Sequence, residues 1–230
     1  MFRRSVCLPL ILSVLVLVSV GAKESKLVFL GPDAVNVTRL LADPPTLNSE
    51  EWQDEVDMML KLQTSRTDAD KARITQEDEF SVFVFSDVVG PWFTEANCPK
   101  TAALFASVEG DSKVFANIGK KHWQRPRPYT SVAALNPAGK TEKSFSYPSS
   151  HSTRGTVCAE ILADIFPDKR AALLERGRQI GWDRVIAGVH YPSDIAAGRV
   201  VPGDIVLAEL RHKIDVHFKA RIGKHGKSVE

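Results

Sequence analysis

The sequence predicts an all-α protein, a single-domain helical bundle, and three observations carry that expectation. Apolar residues recur at helical spacing, as in Val157, Ile161, Leu162 and Ile165. Prolines stand at the ends of such runs, Pro167 closing one and Pro192 opening another at a first helical turn. Neither an internal repeat nor a low-complexity linker divides the chain.

Taken in order, the chain opens MFRRSVCLPLILSVLVLVSVGAKES, with Arg3 and Arg4 ahead of an apolar run from Val6 to Val20 and small residues at Gly21 and Ala22. Residues 1–22 read as a secretory signal peptide cleaved after Ala22, because the run is short for a membrane span. Residues 23–47, with Pro32, Pro44 and Pro45, read as an extended arm. A helical domain follows over 48–220. It opens at a cap, Asn48 or Ser49, before an amphipathic helix marked by Trp52, Val56, Met59 and Leu60.

FSVFVFSDVVG at 80–90 alternates Phe and Val and fits a strand as well as a buried helix; its helical surroundings favour helix. TAALFASVEGDSKVFANIGKKHW reads as one or two helices with Leu104, Phe105, Val108, Val114, Phe115 and Ile118 inward. Further helices are expected after SYPSSHS, over 170–189, and from Pro192 with a kink at Pro202; Ala196, Ala197 and Gly198 would let the last pack closely. Residues 221–230 form a polar tail.

Composition excludes some functions. Removing residues 1–22 takes away Arg3 and Arg4 and no acid, so the formal charge falls from +2 to zero, which argues against nucleic acid as a partner. No later segment approaches the roughly 20 apolar residues of a spanning helix, so no stable membrane span is expected after cleavage. Cys98 and Cys158 remain, and an oxidising compartment would permit but not require a bridge between them. No carboxylate or Cys/His cluster has metal-ligand spacing, so neither metal nor cofactor is expected.

Within SYPSSHSTRG, His151 stands where a helix begins. Unpaired N–H groups and the positive end of the helix dipole make such a terminus a natural anion site. Alone, the motif fits an ordinary serine cap beside a solvent-exposed histidine equally well. KKHWQRPRP at 120–128 fits a solvated basic face, and His190 with Asp194 fits a structural hydrogen bond.

Together the clusters are more informative. Lys120 with Arg127 and Pro128 (K-x6-R-P), Pro148-Ser149-Ser150-His151, and Arg184 followed by His190 and Asp194 (R-x5-H-x3-D) resemble, in order and spacing, the signature of the type 2 phosphatidic acid phosphatase and vanadium haloperoxidase superfamily. The proline-led PPTLNSEEW arm and GRQIGWDRVIAGVHYPSDIAAGRVV are also similar to the bacterial class A non-specific acid phosphatases, so the likeness covers most of residues 40–210.

That resemblance implies a fold of the same helical type and a periplasmic or secreted phosphatase that uses no metal and often forms homo-oligomers. His190 would be the nucleophile, oriented by Asp194, and His151 would protonate the leaving oxygen. Lys120, Arg127, Ser149, Ser150 and Arg184 would bind the phosphate of a small phosphate ester. The chemistry agrees, since a phosphoryl group in transit needs fixed donors and positive charge, and arginine forks donate to phosphate in pairs.

Arg125 and Lys121 are expected on the solvated face, and His122, Trp123, His212, His217 and His225 carry no expected chemistry. Two positions depart from the pattern. Ser150 replaces the family glycine before the histidine, restricting the backbone while keeping the N–H. Asp183 replaces the serine before Arg184, and its expected orientation is outward, where it would only orient that arginine. The rival readings are a vanadium haloperoxidase, a lipid-phosphate phosphatase and a catalytically impaired phosphate-binding protein.

Overall fold

The computed structural model describes residues 27–203, 207 and 210–213; the expected signal peptide and the polar tail lie outside the described residues. Among the described residues every regular element is a helix, as the periodicity predicts. The described part of the expected extended arm is pinned to the body. The buried Asp111 carboxylate accepts the N–H groups of Val28, Phe29 and Leu30 at 2.8, 2.8 and 2.9 Å. Phe29, Leu30, Val35 and the short helix α1 (Val37–Leu40) join the main core.

Helix α2 (Glu50–Ser65) is capped by Ser49, whose hydroxyl accepts the Trp52 N–H, and it buries Trp52, Val56 and Met59. Helix α3 (Asp68–Glu77) is opened by a capping box in which Thr67 and Asp70 satisfy each other's backbone. The ambiguous Phe/Val run is helical, a 3-10 turn at Val82–Phe85 leading into α4 (Ser86–Val89). It looks like a strand because Val82, Val84, Phe85 and Val89 are all buried, leaving no polar face to show the helical period.

Helix α5 (Pro99–Trp123) is one unbroken helix. It buries Phe105, Val108 and Phe115, whereas Ile118 is exposed, because the inward stripe there passes through Gly119 and Lys120. A short α6 (Pro128–Ser131) follows. Then come α7 (Ser150–Ile165), α8 (Arg170–Ile186) and α9 (Pro192–Val200). The chain turns at Val201–Gly203, so Pro202 lies in a turn after the helix and does not kink it.

Helix α7 is central, packed against α5, α8 and α9. Small residues set that approach: a Cβ on Gly198 would lie 2.6 Å from the Ser149 carbonyl oxygen and 2.8 Å from the Ser152 Cβ. Ala197 shares the buried face, while Ala196 is exposed. Cys98 and Cys158 are both free. No helix among the described residues is long and apolar enough to cross a membrane.

Because the Gly198 contact is with backbone, Gly198→Ala must push α9 off the start of α7. The expected cost is about 1–3 kcal/mol, read as a lowered urea midpoint with an unchanged slope.

Candidate active site

His190 and Asp194 stand on either side of Pro192 at the start of α9, and their geometry fixes a protonation state. The His190 Nδ1–H donates to Asp194 Oδ2 at 3.1 Å, while Nε2 faces Arg127 Nη1 at 2.9 Å. A guanidinium can only donate, so Nε2 accepts and the imidazole is neutral with its lone pair turned toward Arg127. Burial, then the Arg127 charge, push the His190 pKa well below its ordinary value.

Asp194 is fully buried and shared widely. Oδ2 also accepts the Tyr191 N–H at 2.9 Å and the Ser146 hydroxyl, and Oδ1 accepts Arg125 Nη1 at 2.7 Å. Burial alone would raise its pKa, but the hydrogen bond from His190 and the charge of Arg125 outweigh it and hold the carboxylate well below its usual range.

Arg125 corrects the sequence expectation, because it is buried and not part of a solvated face. Its other nitrogen meets Glu55 Oε2 at 2.7 Å, and its plane lies 3.9 Å over the Tyr191 ring. Glu55 in turn accepts the Ser193 N–H at 2.6 Å, which ties α2 to the first turn of α9.

Arg127 opens α6 and reaches the Val189 carbonyl at 2.9 Å and Glu142 Oε2 at 3.1 Å. Arg184, in the last turn of α8, donates to Glu77 Oε2, Asp78 Oδ1 and the Ile74 carbonyl, each at 3.1 Å. Both arginines thus hold carboxylates at the cleft. Asp183 overturns the outward expectation. It is fully buried, gripped by Arg73 at 2.9 and 3.1 Å and by Gln179 at 2.9 Å, so it ties α8 to α3 instead of orienting Arg184.

His151, at the second position of α7, is buried, and its Nε2–H donates to the Glu77 carbonyl at 3.1 Å. This differs from the solvent-exposed alternative. Burial, then the charges of Arg154 and Arg184, push its pKa well down, so it rests neutral. Ser149 caps α7, accepting the Ser152 N–H, and its own N–H donates to the Asp194 carbonyl at 3.0 Å. Ser150 has no positive φ, so its replacement of glycine carries no backbone strain.

The cleft is lined by Asp78, Arg127, Lys140, Glu142, His151, Arg184, Val189 and His190. It thus gathers two arginines and two histidines of the expected set, with Asp194 and Ser149 behind them. Lys120 is not in the lining. Its ammonium donates to the carbonyls of Phe145 and Ser146 at 2.5 and 3.1 Å, and burial, then Arg127, push its pKa down to about 7. Glu77, Asp78, Glu142 and Arg125 went unanticipated. The capping box at Thr67 is the one signal that would have placed Glu77 and Asp78, since it opens the helix that ends there.

Arginines, a helix start and a neutral histidine converge on one cleft, an arrangement chemically suited to an anion. Residues 101–210 match the model of the PAP2 superfamily. A non-specific acid phosphatase of Providencia stuartii is 28% identical over 75% of this chain and 73% of its own length. One of Salmonella typhimurium is 32% identical over 56% of this chain; the match spans 53% of that relative, about half its length. Among solved structures, a bacterial vanadium-dependent iodoperoxidase shares the fold at TM-score 0.59 and 15% identity, over 78% of this chain and 54% of its own.

Arg125 offsets the Asp194 charge that His190 feels. In Arg125→Gln the unshared carboxylate should raise the His190 pKa, and nitrogen NMR of the imidazole reads that upward movement directly. An unmoved titration would show that Arg125 only packs.

Proposed function

We propose that this chain is a secreted acid phosphatase, periplasmic or extracellular, that hydrolyses phosphate monoesters without a metal through a phosphohistidine at His190. The carrying observation is the neutral His190 tautomer, with Nδ1–H on Asp194 and the Nε2 lone pair facing the Arg127 fork. A phosphate taken up by Arg127 and Arg184 brings phosphorus to that lone pair. The names of the Providencia and Salmonella relatives support the reading.

Phosphate replaces Glu142 on Arg127 and Asp78 on Arg184, while the first N–H groups of α7, including that of Ser150, add neutral donors. Lys120 contributes charge from behind. Nε2 then attacks phosphorus, the bond to the leaving oxygen breaks, and that oxygen takes a proton from His151. Water subsequently attacks the phosphohistidine, giving its proton to His151 and releasing phosphate.

The His151 hydrogen bond constrains the proton's position. Nε2–H is held by the Glu77 carbonyl, so the proton for the leaving oxygen sits on Nδ1, and the donor is the imidazolium. Arg154 and Arg184 oppose that charge. The dianion of the substrate reverses the field, and His151 becomes charged once phosphate is bound.

The wild type should hydrolyse p-nitrophenyl phosphate in the presence of EDTA. Rapid mixing with labelled substrate should trap an alkali-stable, acid-labile label that His190→Ala abolishes. Label on another residue, or normal turnover in His190→Ala, would overturn the mechanism. Halide oxidation with vanadate in place of phosphate hydrolysis would overturn the activity.

Glu142 competes with phosphate for Arg127, but it is partly exposed, so the contact is worth at most about 1 kcal/mol. Glu142→Gln should therefore lower KM by up to about fivefold with kcat little changed. A raised KM would mean that Glu142 assists binding.

A further inference from the structure

One half-buried cation beside the cleft is only loosely held. Arg154, on α7 one turn beyond His151, has a side chain only 15% exposed. Its Nε–H donates to the Ser150 carbonyl at 3.3 Å. The nearest carboxylate, Glu109 Oε2, is 4.0 Å from Nη1, beyond hydrogen-bond distance, and the guanidinium otherwise lies 4.7 Å over the Phe80 ring. Its forked end thus offers donors that no described residue takes up. A half-buried guanidinium with free donor positions is a ready partner for an anion, since its fork can donate to a carboxylate or phosphate in pairs.

Its position says what would match it. The Phe80 ring that carries Arg154 also packs edge-on against His151, at 6.1 Å between ring centres. Arg154 therefore stands beside the expected proton donor, along α7 from the helix start where phosphate is expected. Arg154 does not itself line the cleft, but a leaving group extending past His151 along the helix would run toward its guanidinium.

We propose that Arg154 forms a second anion subsite on the leaving-group side of the cleft, selecting phosphate esters whose leaving group bears a carboxylate or a further phosphate. The subsite rests on the phosphatase reading for its orientation. Glu109 does not close it: burial pushes that carboxyl up to about 7, so in acid it is largely neutral and does not compete for the guanidinium. The short polar reach of Ser150 and the fork of Arg154 then serve the two ends of one doubly anionic substrate.

Binding separates this proposal from catalysis. Calorimetry on the full chain would compare 4-carboxybenzylphosphonate with its neutral 4-carbamoyl analogue, both non-hydrolysable. The wild type should prefer the carboxylate by on the order of tenfold, as one charge-assisted hydrogen bond gives. Arg154→Gln should erase that preference while retaining the carbamoyl compound, and Arg154→Lys should restore part of it. Equal affinities in the wild type, or equal losses for both compounds in Arg154→Gln, would overturn the subsite. If the preference follows Arg154 but p-nitrophenyl phosphate is not hydrolysed, the subsite stands and the phosphatase reading falls.

Discussion

The buried carboxylate of Asp194 is the interaction on which the rest of this structure depends. An isolated charge at that depth would neutralise itself. It persists because the Ser146 hydroxyl, the His190 ring, the Tyr191 N–H and the Arg125 guanidinium all donate to it. These donors come from the loop before α7, the turn before α9 and the loop after α5. Satisfying one carboxylate therefore fixes three chain segments around the cleft, and Glu55 extends the hold to α2 through Arg125. Breaking any single link leaves a partner buried and unpaired, which costs more than the bond itself is worth.

A second network holds the opposite wall. Glu77 is shared by Arg176 at 2.6 Å and Arg184 at 3.1 Å, its backbone carbonyl holds His151, and Asp183 draws Arg73 inward beside it. Burial, and then the neighbouring Asp183 charge, push the Glu77 pKa upward. As the medium becomes more acidic, Glu77 is a weaker counter-ion for Arg184, and the wall turns more positive toward an incoming anion. Asp183, one of the two departures from the motif pattern, thus acts through the charge balance of this wall and not through contact with the cleft.

The legible parts of the molecule were those written in local pattern. Helical spacing gave α2, α7, α8 and the long α5, and the three motifs named Arg127, His151, Arg184 and His190, which the fold does bring to one cleft. What escaped depends on contacts between segments far apart in the chain. Arg125 sits in a basic run that looks solvated, and only the fold places Asp194 and Glu55, each about 70 positions away, on either side of its guanidinium. Asp183 was expected outward because its partner Arg73 lies 110 positions earlier. Ile118 was expected inward because its spacing is right, yet the close approach of Pro148 at Gly119 turns the stripe. In each case a side chain's orientation was decided by a partner that no local period reveals.

On the proposed mechanism the two histidines face opposite electrostatic demands, which one fixed set of cations cannot meet. A nucleophile working in acid must stay neutral, and burial with Arg127 depresses the His190 pKa accordingly. A proton donor must become charged, and the same kind of surroundings, burial with Arg154 and Arg184, depress His151 as well. A static field cannot satisfy the two at once. A bound phosphate dianion can, because it screens Arg184 from His151 while Arg127 and the Asp194 hydrogen bond still hold the His190 tautomer. On this reading the proton donor is armed by the substrate itself. Glu142 on Arg127 and Asp78 on Arg184 partly neutralise the same cations, so on that mechanism a phosphate dianion must be the better partner for each fork.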